Sequence, residues 1–400
     1  MIQRTCLLIA ASLLVTTAGC RGDTNAPPIR TDSGVRTDAG GTTGDAGPNG
    51  MDGGGGGGDD GGVGVDAGAD AGTDAGPPCA CRPLPTTCTA RPANDVAFSP
   101  EGTALQDQLL DVIACANTSL HVAFYENTWP CLVDALIAKL DAVPALTLDM
   151  MIDDDQCPSV GGARTCELSR LETHARVVIH DDAPRSGYMH HKFVIVDATR
   201  VWVSSANSTS NSFCSDHNNA VIVDDATIVA GYETEFQRLF GGMSGPTAVR
   251  PAIVAAPYSL YFSPQTPITS PTNWFTDMVT RIGTATTSVD FTVFSFTRTE
   301  ISDALIAAHA RGVTVRGVVD GTALSDMPAM ALIADGIAVR VANVHDKSMV
   351  IDGAVVITGS PNWSANSWSN DENSLWIADT AVAGAYRTEF ESVFAAARTP

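Results

Sequence analysis

Apolar residues fall into three regimes along the chain. A stretch from Cys6 to Val15, after Met1-Ile-Gln-Arg4, is strongly apolar but too short to remain in a bilayer as a spanning helix. From Arg21 to Pro78 large apolar residues almost vanish, and Gly, Asp, Ala and Thr dominate, with six consecutive glycines from Gly53 to Gly58. Such a composition cannot bury surface, so residues 20–78 are expected to be a flexible tether. Beyond residue 94 the pattern changes again. Helical spacing over Leu105 to Ala114 leads into an aliphatic run ending at Tyr125, a second helical block at Asp134-Ala-Leu-Ile-Ala138, and a buried-strand pattern ending at Ile152. Short β-branched runs follow at Val177, Phe193, Val201 and Ala220, and a helix through Tyr232-Glu-Thr-Glu-Phe236 closes the series.

The same series then repeats. Phe98-Ser99-Pro100 returns as Phe262-Ser263-Pro264, Thr118-Ser119 as Thr287-Ser288, Asp134 to Ala138 as Asp303 to Ala307, and Tyr232 to Phe236 as Tyr386 to Phe390. Runs ending at Phe294 and Val319, and others at Ala338, Ser348, Val355 and Ser374, match the strands of the first copy. Marks kept in order imply an internal duplication. The expected fold is therefore α/β, with two homologous sandwich halves, residues 95–245 and 255–400, each a mixed β-sheet flanked by helices. A Cys-rich lead-in, residues 79–94, precedes them.

Composition narrows the function. The formal charge of -22 does not suit a protein that wraps nucleic acid, whose affinity comes from neutralising phosphates with Lys and Arg. Of ten Cys, eight follow the tether: Cys79, Cys81, Cys88, Cys115, Cys131, Cys157, Cys166 and Cys214. An even set in an exported chain reads as disulfides, here confined to the first half. Cys79 and Cys81 lack partners at zinc-finger spacing, and the Asp-Ala-Gly units of the tether lack the regular repeat of calcium-binding solenoids.

The chemistry sits in two matched motifs. His190-His191-Lys192 and four residues lead to Asp197, and His345-Asp346-Lys347 and four residues lead to Asp352. On a strand, residues two apart face the same way, so His and Lys project together while His191 and Asp346 point away. Asp197 and Asp352 fall off that face and read as structural anchors. The chain holds only three Lys, and two of them, Lys192 and Lys347, occupy equivalent motif positions, which makes coincidence a poor explanation. Downstream come Ser204-Ser205-Ala206-Asn207 and Gly359-Ser360-Pro361-Asn362, then Asn218 in one half and Glu372 in the other.

These motifs, over nearly all of residues 95–400, resemble the phospholipase D superfamily. The resemblance implies a metal-independent phosphodiesterase, without cofactor, whose site lies between the halves. A phosphodiester anion needs its oxygens neutralised, a nucleophile and a proton donor. Lys192, Lys347, Asn207, Asn362, Ser205 and Ser360 are candidates for binding the phosphate, and the two His supply attack and proton transfer. Glu372 matches the family's carboxylate behind a catalytic imidazole, where the first half carries Asn218. In related two-motif enzymes that group supports the N-terminal His, which would make His190 the nucleophile and His345 the acid.

The N-terminus resembles a bacterial lipoprotein signal, with residues 1–19 removed and Cys20 acylated, although Thr17 stands where such signals usually carry Leu. The expectation is an exported, lipid-anchored monomer at the outer membrane or cell surface, with a phospholipid substrate cleaved by hydrolysis or transferred to an alcohol. An extracellular nuclease of the same superfamily is the alternative enzyme. A non-catalytic surface binding protein is the remaining one, and the complete His and Lys pairs weigh against it. Trp363 and Trp368 could offer an aromatic edge to a membrane or could be core.

Overall fold

The computed structural model describes residues 79–400 apart from 101, 161, 186, 249 and 267–272. The signal, the Cys20 lipidation site and the tether thus lie outside the described residues. The first sheet contains β1 (Val96–Ser99), β2 (Ser119–Phe124), β3 (Thr147–Ile152), β4 (Val177–Asp181), β5 (Lys192–Val196), β6 (Arg200–Ser204) and β7 (Asn218–Val223). Their spatial order is β1-β7-β6-β5-β2-β3-β4, with β2, β3 and β4 parallel and the other neighbours antiparallel.

The second sheet repeats this plan with one added edge strand. It comprises β8 (Ile253–Ala255), β9 (Tyr258–Ser263), β10 (Ser288–Val293), β11 (Thr314–Val319), β12 (Ala338–Val341), β13 (Lys347–Ile351), β14 (Val355–Gly359) and β15 (Glu372–Ile377). The order is β8-β9-β15-β14-β13-β10-β11-β12, again with three parallel strands at one side. Both halves belong to one compact unit.

Helices cover each sheet on both faces, which is why central strands such as Lys192–Val196 and Val355–Gly359 are buried at every position. On the outer face of the first sheet lie α1 (Ala104–Ala114) and α2 (Pro130–Ala142). Leu105, Leu109, Val112 and Ile113 form the apolar stripe of α1, and Pro130 starts α2, where its missing N–H costs nothing. The middle layer holds α3 (Ala226–Phe240), and on the second sheet's outer side lie α4 (Trp274–Gly283), α5 (Thr299–Ala310) and α6 (Met327–Ala334). A last helix, α7 (Thr380–Ala396), joins α3 in the middle, and both touch both sheets. Each begins on an Asp cap: Asp225 accepts from Thr227 N at 2.9 Å and Ile228 N at 3.1 Å, and Asp379 from Ala381 N at 2.7 Å and Val382 N at 3.1 Å.

The core between the sheets joins the halves. Phe193, Ile195, Val221, Tyr232 and Phe236 pack in one cluster with Leu260, Val350, Val356, Leu375 and Tyr386. Four disulfides, Cys79–Cys214, Cys81–Cys131, Cys88–Cys115 and Cys157–Cys166, staple the lead-in and the first half. Their placement agrees with the expectation from the Cys pattern. No helix of the described residues is long and apolar enough to cross a membrane.

Candidate active site

Each motif strand starts at its lysine, so His190 and His345 stand two residues ahead of β5 and β13 rather than within them. What holds them is the opposite half. His190 N donates to Asp371 O at 3.0 Å, and His345 N donates to His217 O at 3.0 Å. The next residue in each case, Glu372 or Asn218, then meets the imidazole: His190 Nδ1 lies 2.8 Å from Glu372 Oε2, and His345 Nδ1 lies 3.1 Å from Asn218 Oδ1. Backbone and side chain together fix each ring across the interface.

The Asn218 amide is oriented by its other contacts. Its Nδ2 donates to Ser212 O at 3.0 Å, which leaves Oδ1 to accept from Ser205 Oγ at 2.8 Å and from the His345 Nδ1–H. Glu372 accepts from Asn370 Nδ2 at 3.2 Å and is also hydrogen-bonded by the Ser360 hydroxyl. Ser205 and Ser360 were expected to bind phosphate. Their hydroxyls instead serve the groups behind the imidazoles, because each residue directly follows a short strand that lies beside β7 or β15.

Each lysine folds back on its own histidine. Lys192 Nζ donates to His190 O at 2.8 Å, and Lys347 Nζ donates to His345 O. Two aromatic residues, missed by the motif reading, floor these pairs. The Tyr125 ring centroid lies 4.8 Å from the His190 ring and 5.2 Å from Lys192 Nζ; Phe294 lies 4.9 Å from the His345 ring and 5.1 Å from Lys347 Nζ. Tyr125 and Phe294 end the equivalent runs of the two copies, and that shared position was the available signal.

The motif aspartates stay away from the pocket. Asp197, at φ 52°, accepts from the backbone N–H groups of Asn117, Thr118 and Ser119, and Asp352, at φ 54°, from those of Thr286, Thr287 and Ser288. The middle residues also point away. His191 meets Asn373 Oδ1 at 3.0 Å, and Asp346 accepts from Asn219 Nδ2, so each again reaches the other half. Asn207 Nδ2 donates to Glu126 Oε2 at 2.6 Å, and Asn207 and Asn362 each keep a buried Oδ1 without a hydrogen-bond partner. Trp363 is core at 1 % exposure, and half-buried Trp368 stacks on Arg298, so neither forms an open aromatic edge.

Burial sets the electrostatics. Dehydration lowers the His190 pKa, with Lys192 adding to the effect and Glu372 opposing it. His345 is held well below its ordinary value by burial and then by Lys347 and Lys192. Lys192 is pushed down to about 7, chiefly by burial. For Glu372 burial pushes the pKa up, but His190, Lys192 and Ser360 outweigh it and leave the carboxylate below its usual range. Two crowded cations and two imidazoles make a pocket that gains from a bound anion. Among the described residues, carboxylates close enough together to hold a cation occur at Asp153, Asp154 and Asp182, outside the imidazole pair.

Comparison with known proteins gives a consistent family assignment. Residues 109–240 and 278–394, more than half of the chain, match the family described as cardiolipin synthase, PLD-like domain. A mitochondrial cardiolipin hydrolase of Xenopus laevis is 34 % identical over 164 residues, covering 40 % of this chain and 66 % of that protein. The chain thus spans just under two thirds of that relative's length. The fold is similar to that of phosphatidylserine synthase from Haemophilus influenzae, with TM-score 0.57, 13 % identity and coverage of 75 % of this chain and 85 % of that one. Polyphosphate kinase from Porphyromonas gingivalis shares it too, at TM-score 0.52, 13 % identity and coverage of 74 % and 50 %.

Proposed function

Because the chain belongs to the phospholipase D-like family, we propose that it is a metal-independent phosphodiesterase that cleaves phospholipids through a phosphohistidine. The observation that carries this reading is the crossed support of the two imidazoles, a carboxylate behind His190 and an amide behind His345.

The Glu372 carboxylate takes the Nδ1 proton of His190 as a hydrogen bond, which leaves Nε2 with its lone pair free for attack on phosphorus. The positive charge that develops on His190 is then matched by Glu372. His345 gives its proton to the departing alkoxide, and the P–O bond breaks as the N–P bond forms. Water next loses a proton to His345 and attacks phosphorus, which releases His190; an alcohol in place of water gives transfer. The lowered pKa of His345 fits this cycle, since a bound phosphodiester anion would offset Lys192 and Lys347 and let the ring hold the proton it must donate.

A lipid substrate is favoured by the charge of -22 and by relatives whose names refer to cardiolipin. The test is a panel of cardiolipin, phosphatidylcholine, phosphatidylethanolamine and single-stranded DNA, assayed with and without chelator. Phospholipid cleavage that chelation leaves within about twofold is expected, and strict dependence on added metal would overturn the mechanism. Cleavage of DNA alone would favour the nuclease reading. The disulfides agree with export, and anchoring through Cys20 is part of the proposal: Cys20→Ala should move the protein from the membrane fraction to the soluble one.

A further inference from the structure

A second cluster of charge lies at the carboxyl ends of two parallel strands of the first half. Asp153 follows β3 and Asp182 follows β4, whose register sets Ile152 opposite Asp181, so the two aspartates come side by side. With Asp154, each offers an oxygen within 4.8 Å of the others. Asp153 is 1 % exposed and Asp182 3 %. Two buried carboxylates this close need either protons or a cation.

The hydrogen bonds leave one oxygen unused. Asp153 accepts from Asp155 N at 3.1 Å through Oδ1 and from Met189 N at 3.0 Å through Oδ2. Asp182 Oδ1 accepts from Asp154 N at 3.1 Å, but Asp182 Oδ2 is buried without a hydrogen-bond partner. Among the described residues neither Asp153 nor Asp182 forms an ion pair, and the Arg185 guanidinium is bonded to Asp371 and Ser369 O. Dehydration, and then repulsion from Asp182, pushes Asp153 up to about 8, and burial pushes Asp182 up to about 7. The second half has no such pair, because Asp320 follows β11 but Ala342 follows β12.

We propose that Asp153, Asp154 and Asp182 form a site for a hard divalent cation of the calcium type. Such ions take carboxylate oxygens in flexible geometry and complete their shell with water, so three aspartates suffice as protein ligands. The site ties the ends of β3 and β4 to Met189, the residue before His190, and so steadies the segment that delivers that imidazole. The ion takes no part in phosphoryl transfer.

The experiment uses chelator-treated full-length protein, titrated with calcium chloride and separately with magnesium chloride, and followed by thermal unfolding and calorimetry. Calcium should raise the unfolding midpoint by on the order of 5 °C at saturation, with a smaller effect of magnesium. Asp182→Asn, which keeps the acceptor for Asp154 N, should lose the shift and one calorimetric site. Asp59→Asn, in the acidic N-terminal segment, should keep both. If Asp182→Asn fails to fold by circular dichroism, partly exposed Asp154→Asn reads the same loss. No shift with either ion, or an equal shift in the aspartate variants, would overturn the proposal. So would a wild type indifferent to ions together with an Asp182→Asn variant that unfolds at higher temperature at pH 8, since the two carboxylates would then be sharing a proton.

Discussion

The two halves share seven strands in the same order, the second adding β8 at its edge, yet they are held together by different means. The first is stapled by four disulfides and brings Tyr188 against Tyr125 beside its site, with Tyr188 N donating to Asn370 Oδ1 at 3.1 Å; the second has no cysteine and has Ala342, Asn343 and Val344 before its motif histidine. Behind the pocket the plan stays symmetric. Tyr232 OH meets Asn373 Nδ2 at 3.0 Å, and Tyr386 OH meets Asn219 Oδ1 at 2.6 Å, so each central helix holds the amide that contacts the middle motif residue. Symmetry breaks where charge matters, since Glu372 faces His190 and Asn218 faces His345. A duplication can keep a geometry that both rings need while divergence assigns them separate tasks.

The largest expected effect comes from removing one ring or the other. His190→Ala should lower turnover of a phospholipid by roughly 10³-fold or more, and so should His345→Ala. A nitrophenyl ester separates them, because its leaving group needs no proton. On that substrate His345→Ala should retain measurable release of nitrophenol, while His190→Ala should not. Peptide mapping after a quench that avoids acid then locates the phosphate. Phosphate on His345 with His190 unmodified would reverse the direction and leave the fold comparison standing.

A sharper test moves the charge itself. Glu372→Gln should lower turnover by about 10²-fold, since an amide can orient the ring but cannot match its positive charge. Adding Asn218→Asp restores a carboxylate on the opposite side. If the carboxylate sets direction, the double variant should recover part of the loss and trap phosphate on His345. If both proteins still label at His190, the direction lies in some other difference between the halves, such as Tyr125 against Phe294.

The sequence exposed the repeat because strands and motif residues recur in the same order, and it exposed Glu372 because Asn218 stands at the matching place. Periodicity missed β1, β8 and β9 but located the other strands to within a residue or two. It could not say that Ser205 and Ser360 spend their hydroxyls behind the rings, since a Ser at a strand end can turn either way and its partners come from β7 and β15. Nor could it find Asp153 and Asp182, which lie 29 positions apart and meet only because β3 and β4 pair in parallel. The Arg185–Asp371 and Arg238–Asp371 contacts, which hold the residue whose carbonyl receives the His190 N–H, were hidden for the same reason. Contacts made across the fold leave no local period to read.

The smallest effect tests the two serines against each other. Ser360 hydrogen-bonds a carboxylate, whereas Ser205 Oγ donates at 2.8 Å to the neutral Asn218 amide. A hydrogen bond to a charged group contributes about 1.5–3 kcal/mol against about 1 kcal/mol for a neutral pair. Both serines also accept from the backbone of the opposing strand, Asn373 N at 3.0 Å and Asn219 N at 3.1 Å, so loss of that bond is common to the two variants and cancels in the comparison. Apart from a long contact of Asn219 Nδ2 with Ser205 Oγ at 3.5 Å, what remains is the effect on the group behind each ring. Ser360→Ala should free the Glu372 carboxylate of one donor, loosen its aim at His190 and lower kcat by about tenfold, while Ser205→Ala should lower it by roughly threefold. Steady-state kinetics on one phospholipid decides the matter. Equal losses would mean that the serines only brace the strand ends, and that the chemical difference between the halves stops at Glu372 and Asn218 themselves.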